Sequence, residues 1–222
     1  RLCSSAASDV YKRQVRDVQL SVNEPIIWGL DVARFGGDNS ALCIRQGNTV
    51  LEIKTYNSMD LMALCGAVKN QYDDCTVLEK PSEICVDVIG LGAGVVDRLR
   101  ELNLPVQGVN VAEAPSTKKN YLNLRAELWF AVKDWLNLRA CKIPEDSELH
   151  QELISPIYKY TSSGKIKIES KDEMKKRGIK SPDKADALAL TFASSASALS
   201  GNKSFMGYNF KKPLKSKIFR VG

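Results

Sequence analysis

The first strong apolar run is IIWGLDVA, residues 26–33, which predicts a buried central strand beginning just after Pro25. RFGGDNS at 34–40 is dense in turn formers. ALCIRQ (41–46) and VLEIKTY (50–56) then read as strands joined by a Gly47-Asn48 turn, so the first three strands form an antiparallel meander. The spacing predicts a helix over 58–72, with Ser58 as cap and Leu61, Leu64, Ala67 and Val68 on its buried face. SEICVDVI (82–89) is a further strand, mid-run in which stands Asp87. The glycines of 90–94 make a tight turn into an amphipathic helix, 93–102. PVQGVNV (105–111) is a short strand and LNLRAELWFAVKDWL (122–136) a long helix. Over 157–169, IYKY and KIKIE flank the turn Thr161-Ser162-Ser163-Gly164, and the period-two pattern of Lys165, Ile166, Lys167 and Ile168 predicts a hairpin. A last helix is expected from Ser181-Pro182, a cap followed by proline at the first helical position, to about Ala198.

The domain expected from this pattern spans 26–198, preceded by a linker at 15–25. Residues 1–14 show neither period and resemble translated adaptor read-through, so they are set aside as a non-native or unstructured leader. Residues 199–222 form a basic tail. Residues 201–222 hold six of the chain's 32 lysines and arginines and no acid, which accounts for the whole net charge of +6. Basic tails meet nucleic acid or acidic surfaces, or are solvated ends.

Composition narrows the chemistry. No run of about 18 apolar residues marks a membrane span, and the N-terminus lacks a signal-peptide pattern. Six cysteines form no CxxC pair, so they read as reduced thiols and not as a zinc site or disulfide framework. The single histidine, His150, argues against histidine-based nucleases, zincins and Ser/His/Asp hydrolases. Hydrolysis here would have to rest on carboxylates and a metal.

Asp31 stands inside the first apolar run and Asp87 inside another. An ionised carboxylate in such a strand costs several kcal/mol, to order of magnitude, unless it is paired or ligates a cation. Asp183 and Asp186 are spaced i, i+3 and project from one helix face. If that face meets the strand ends, three or four carboxylates converge, and like charges about 4 Å apart repel by roughly 4 kcal/mol at an effective dielectric of 20. Oxygen-only ligation selects Mg²⁺ or Mn²⁺, and two such ions can clamp a scissile phosphate. Each acid also has a plainer explanation: a buried ion pair for Asp31, Asp87 and Asp186, and complementing a helix dipole for Asp183. Asp38, after two glycines, is read as a turn former. GLGAG at 90–94 lacks the dinucleotide-loop spacing, and no GxxxxGK[ST] occurs.

The element order is that of an RNase H-like α/β fold, a mixed central sheet with a three-stranded antiparallel meander and flanking helices. WGLDVARFGGDNSAL, VDVIGLGAGVVDRL, NLRAELWF and above all SSGKIKIESKDEMKKRGIKSPDKADALALTFA resemble the nuclease domain of the tailed-phage terminase large subunit, from about Pro25 to Ala198. The resemblance implies an endonuclease that cuts concatemeric phage DNA. It places the family's first-strand acid on Asp31, its later-strand acid (Glu in some members) on Asp87 and its final-helix acid on Asp186. Asp183 matches a second acid of related resolvase-like nucleases. It also implies double-stranded DNA, the small terminase subunit and the portal as partners, and the host bacterial cytoplasm as the location. The family's packaging ATPase domain is missing from this sequence, which reads as a C-terminal fragment.

For DNA contacts the expectation falls on the hairpin residues Lys165 and Lys167, with Lys159 beside them, and on Lys175, Lys176, Arg177, Lys180 and Lys184 around the last helix's start. The tail, with Phe205, Tyr208, Phe210 and Phe219 among its lysines, is suited to docking on the portal or another part of the motor. Two alternatives stay open: a Holliday-junction resolvase of the same fold, and a docking module whose acids no longer support catalysis. An actin-like phosphotransferase needs tandem lobes for which 222 residues leave little room.

Overall fold

A computed structural model describes residues 2–3, 7, 23–33, 39–116, 120–138 and 140–194. Asp38 and the basic tail lie outside them. Of the leader, Leu2, Cys3 and Ala7 are described, and all three are buried against the core, with Leu2 N–H donating to the Pro156 carbonyl at 3.1 Å.

The central sheet has five strands: β1 (Ile26–Asp31), β2 (Ser40–Gln46), β3 (Thr49–Tyr56), β4 (Glu83–Asp87) and β5 (Val106–Val109). Their order is β3-β2-β1-β4-β5. β1, β2 and β3 pair antiparallel, whereas β4 joins β1, and β5 joins β4, in parallel. This is the expected meander extended by two parallel strands. Gly47 turns β2 into β3 with φ 52°, a left-handed conformation that glycine adopts without a Cβ clash.

Helices cover both sheet faces. Trp28, Leu30, Ile84 and Val86 point to one side, where α1 (Leu61–Asp74) and α2 (Gly92–Glu101) bury Leu64, Val68, Val95 and Leu99 against them. Ile27, Cys43 and Cys85, one residue out of phase, point to the other. There α3 (Leu124–Asn137), α4 (Ser147–Ile154) and α6 (Asp183–Leu190) complete the core. The hairpin forms as expected, β6 (Tyr158–Tyr160) against β7 (Ile166–Ile168). Between it and α6 lies the short helix α5 (Lys171–Lys176).

Several boundaries differ from the sequence reading. Asp60, not Ser58, caps α1: its carboxylate accepts from Ala63 N–H at 2.7 Å, while Ser58 sits at φ 53° in the preceding turn. Neither α4 nor α5 was expected as a distinct helix. The last helix also lacks the serine cap: Pro182 occupies the cap position and the Ser181 hydroxyl is buried without a partner among the described residues. α6 ends at Leu190 and continues as one 3₁₀ turn, Thr191–Ala193. No described helix is long and apolar enough to cross a membrane.

Candidate metal centre

Strand pairing brings the first two acids together. β1 and β4 are parallel neighbours with Leu30 opposite Val86, and each strand ends on its aspartate, Asp31 and Asp87. Both carboxylates therefore stand at C-terminal strand ends and not mid-strand. The chain turns after β4 because the Asp87 carboxylate accepts from Ile89 N–H at 3.0 Å and Gly90 takes φ 73°.

Gly29 brings in the helix. A Cβ on Gly29 would lie 2.1 Å from the Ala187 carbonyl oxygen, so only a bare backbone lets α6 cross β1 this closely. That approach carries Asp183 and Asp186, both buried, up to Asp31. The first turn of α6 is capped from outside, Glu152 on α4 accepting from Ala185 N–H at 2.9 Å. Burial pushes the Glu152 carboxyl up to about 8, with Asp183, Glu148 and Asp186 adding repulsion and the Ala185 N–H opposing.

One cation joins the three acids. Lys171 Nζ lies 2.7 Å from Asp31 Oδ2, 3.1 Å from Asp183 Oδ1 and 3.6 Å from Asp186 Oδ2. Asp31 is therefore paired, the plainer of the two explanations offered for it above. Burial still raises its carboxyl above the ordinary range, against the pull of Lys171. Burial alone would lower Lys171, but Asp31, Asp186 and Asp183 outweigh it and hold the ammonium charged. Lys171 reaches this position from α5, whose N-terminus is fixed by a reciprocal capping box between Ser170 and Glu173.

The remaining acids differ in support. Asp183 also accepts from Asn39 N–H at 3.1 Å. Asp186 accepts from Trp129 Nε1 at 2.7 Å and from Arg125 Nη2 at 3.0 Å. Burial would raise Asp186, but Arg125, Lys171 and Trp129 together bring it below the ordinary carboxylate range. Asp87 is raised by burial, partly offset by the Ile89 N–H. Asp31, Asp87 and Asp186 share with Arg125 and Lys171 the wall of a cavity of about 280 Å³, which apolar side chains including Leu128 and Leu190 complete. Asp183 contacts Lys171 at 3.1 Å but does not line that cavity.

Among the described residues no group of three His, Cys, Asp or Glu is arranged as a ready metal cage. The donor set nevertheless suits a hard divalent cation. It is all oxygen, and three of its carboxylates, Asp31, Asp183 and Asp186, already converge on a cation, the Lys171 ammonium. Lys171, Arg125, Trp129 and Glu152 were not among the expected site residues, although Lys171, Arg125 and Trp129 lie within the quoted motifs.

The basic residues divide. Arg177 holds Glu169 at 2.6 Å and the Ser155 carbonyl at 3.1 Å. Lys184 lies 2.6 Å from Asp146 and 2.7 Å from Glu148. Both serve ion pairs within the protein. Lys175, Lys176 and Lys180 are exposed around the α5–α6 connection. On the hairpin, Lys167 is exposed with Glu173 at 3.5 Å, and Lys165 is half-buried.

No family model and no curated protein matches this sequence. Solved structures do. A point mutant of the nuclease domain of the large terminase subunit gp2 of bacterial virus Sf6, with manganese and beta-thujaplicinol, superposes with TM-score 0.68 at 21% identity, over 84% of this chain and 94% of that one. The nuclease domain of the same subunit gives 0.64 at 22% over the same shares. The large terminase nuclease from thermophilic phage G20c gives 0.61 at 14%, over 78% of this chain and 83% of that one. Together with the β3-β2-β1-β4-β5 sheet and its flanking helices, these likenesses show that the chain has the RNase H-like fold of large terminase nuclease domains.

Proposed function

We propose that this chain is the nuclease domain of a phage DNA-packaging terminase large subunit, a Mg²⁺- or Mn²⁺-dependent endonuclease that cuts concatemeric DNA. One observation carries the reading: buried carboxylates from a strand end and a helix start converge on a single cation beside a cavity that Asp87 also lines. Asp31, Asp87 and Asp186 would hold the metal, two ions in the full proposal, with Asp183 as the fourth acid. Bound there, divalent ions polarise a scissile phosphate and lower the pKa of water. The structures of relatives solved with manganese, magnesium and cobalt agree with such a site.

The protein's own groups do the rest. Lys171, facing Asp31, Asp183 and Asp186, offsets part of their charge, a role that a bound divalent ion would take over. Apolar side chains, Leu128 and Leu190 among them, line the cavity beside the carboxylates, and a less polar surrounding strengthens their hold on a cation. Lys165, Lys167, Lys175, Lys176 and Lys180 contact DNA phosphates and set the register of the duplex without reading bases. Arg177 and Lys184 act through the ion pairs described above. In the phage, the ATPase domain, small subunit and portal would be its partners, and the host cytoplasm its location.

The test is conversion of supercoiled plasmid to nicked and linear forms. Cleavage with Mg²⁺ or Mn²⁺, and none with EDTA, is expected; equal cleavage in EDTA would overturn the proposal. Strong preference for four-way junctions over linear duplex would favour the resolvase reading instead. The Lys171 ion pairs favour a second reading, a docking module whose acids are permanently neutralised by lysine. It requires that Mn²⁺ fail to bind in calorimetric titration.

A further inference from the structure

The NLRAELWF segment lies at the start of α3, and the proposed chemistry leaves its purpose open. Asn123 caps that helix by accepting from Ala126 N–H at 3.1 Å. The backbone N–H groups of Leu124 and Arg125 donate to the carbonyls of Glu113 and Val111, both at 2.9 Å. The first turn is therefore anchored at both cap and backbone. Arg125 and Trp129 are spaced i, i+4 and share one helix face. Both aim at Asp186.

Their bonds divide the two oxygens of that carboxylate. Asp186 Oδ1 accepts from Trp129 Nε1 at 2.7 Å and from Arg125 Nη2 and Nε at 3.0 and 3.3 Å. Oδ2 has a single Arg125 contact, from Nη2 at 3.2 Å, and faces Lys171 Nζ at 3.6 Å. Arg125 Nη1 donates in addition to the Glu169 carbonyl at 2.7 Å, two residues before Lys171. One guanidinium thus ties the α6 acid to the segment that brings Lys171 into the site. The planar guanidinium holds both partners at a fixed spacing and orientation, which an ammonium, a point charge on a flexible stem, does not reproduce.

We propose that Arg125 and Trp129 are positioning residues: they hold Asp186 Oδ1 so that Oδ2 is presented to the cation site. The inference rests on the metal-centre reading above. Groups that orient a ligating carboxylate affect metal affinity by about 10- to 100-fold when removed. Arg125 is also the counter-charge that stays with Asp186 when the lysine is displaced.

The experiment measures Mn²⁺ affinity of the full 222-residue chain from the electron paramagnetic resonance signal of free Mn²⁺, without DNA or turnover. Circular dichroism checks that each variant folds. Trp129→Phe keeps the ring and removes the donor, and should weaken Mn²⁺ about 10-fold or more. Arg125→Ala should weaken it further, with Arg125→Lys intermediate because charge returns without the fork. If one variant fails to fold, the others carry the test. Mn²⁺ affinity within twofold of the unsubstituted chain in the folded variants, while Asp186→Asn abolishes binding, would overturn the positioning role and leave the metal centre standing. No binding by the unsubstituted chain would overturn both.

Discussion

A carboxylate's meaning here depends on what faces it. Asp31, Asp183 and Asp186 are buried together, and Lys171, with Arg125 at Asp186, supplies the charge that lets them fold so. Lys171→Ala should therefore lower the melting temperature in EDTA, and Mn²⁺ should restore more stability to this variant than to the unsubstituted chain; differential scanning fluorimetry reads both. Glu152 gives a pH prediction. Its folded carboxyl is raised from an ordinary 4.5 to about 8, by burial first and then by Asp183, Glu148 and Asp186. Between those values the folded protein keeps a proton that the unfolded chain releases, so stability falls as pH rises through the window. Glu152→Gln keeps an acceptor for the Ala185 N–H and should flatten that fall, measured by thermal melts at pH 5 and pH 8. The four acids were visible in the sequence because each interrupts an apolar pattern or repeats at helical spacing. The partner of Asp31, Asp183 and Asp186 was not, because Lys171 is one lysine in a charged stretch, and only the tertiary fold shows that its ammonium turns inward.

At the level of elements, the centre depends on how closely α6 can cross β1. Gly29→Ala puts a methyl group 2.1 Å from the Ala187 carbonyl, and relief requires the helix to move outward. Overpacking of this kind costs about 1–3 kcal/mol, so urea denaturation should show that loss, and Mn²⁺ affinity should fall with it as Asp183 and Asp186 withdraw. Alternating and apolar runs made the sheet and hairpin legible. The elements that escaped have weak hydrophobic patterns. α5 is six residues long and buries only Met174; its signal was the Ser170-to-Glu173 capping box. α4 buries only Leu149 and Leu153. The expected Ser181 cap failed because Glu152, from a distant part of the sequence, caps the helix instead, a long-range contact that local pattern cannot reveal.

Across the whole molecule, the proposed function requires an acidic centre to meet a polyanion. The exposed lysines of the α5–α6 connection, Lys175, Lys176 and Lys180, offer the compensating charge, while Arg177 and Lys184 brace the protein. Neutralising Lys176 and Lys180 to Gln should weaken duplex binding uniformly across sequences. Each lost phosphate contact should also reduce the slope of log K against log salt by about 0.9, readable by fluorescence anisotropy. The proposed function rests on the acids forming a cleaving centre, and the most direct measurement of that is plasmid cleavage in Mn²⁺ by the unsubstituted chain and by Asp31→Asn. Loss of a ligand should exceed the effect of losing a supporting residue, so the rate is expected to fall by more than about a hundredfold while the fold persists. Undiminished cleavage by Asp31→Asn would contradict the account.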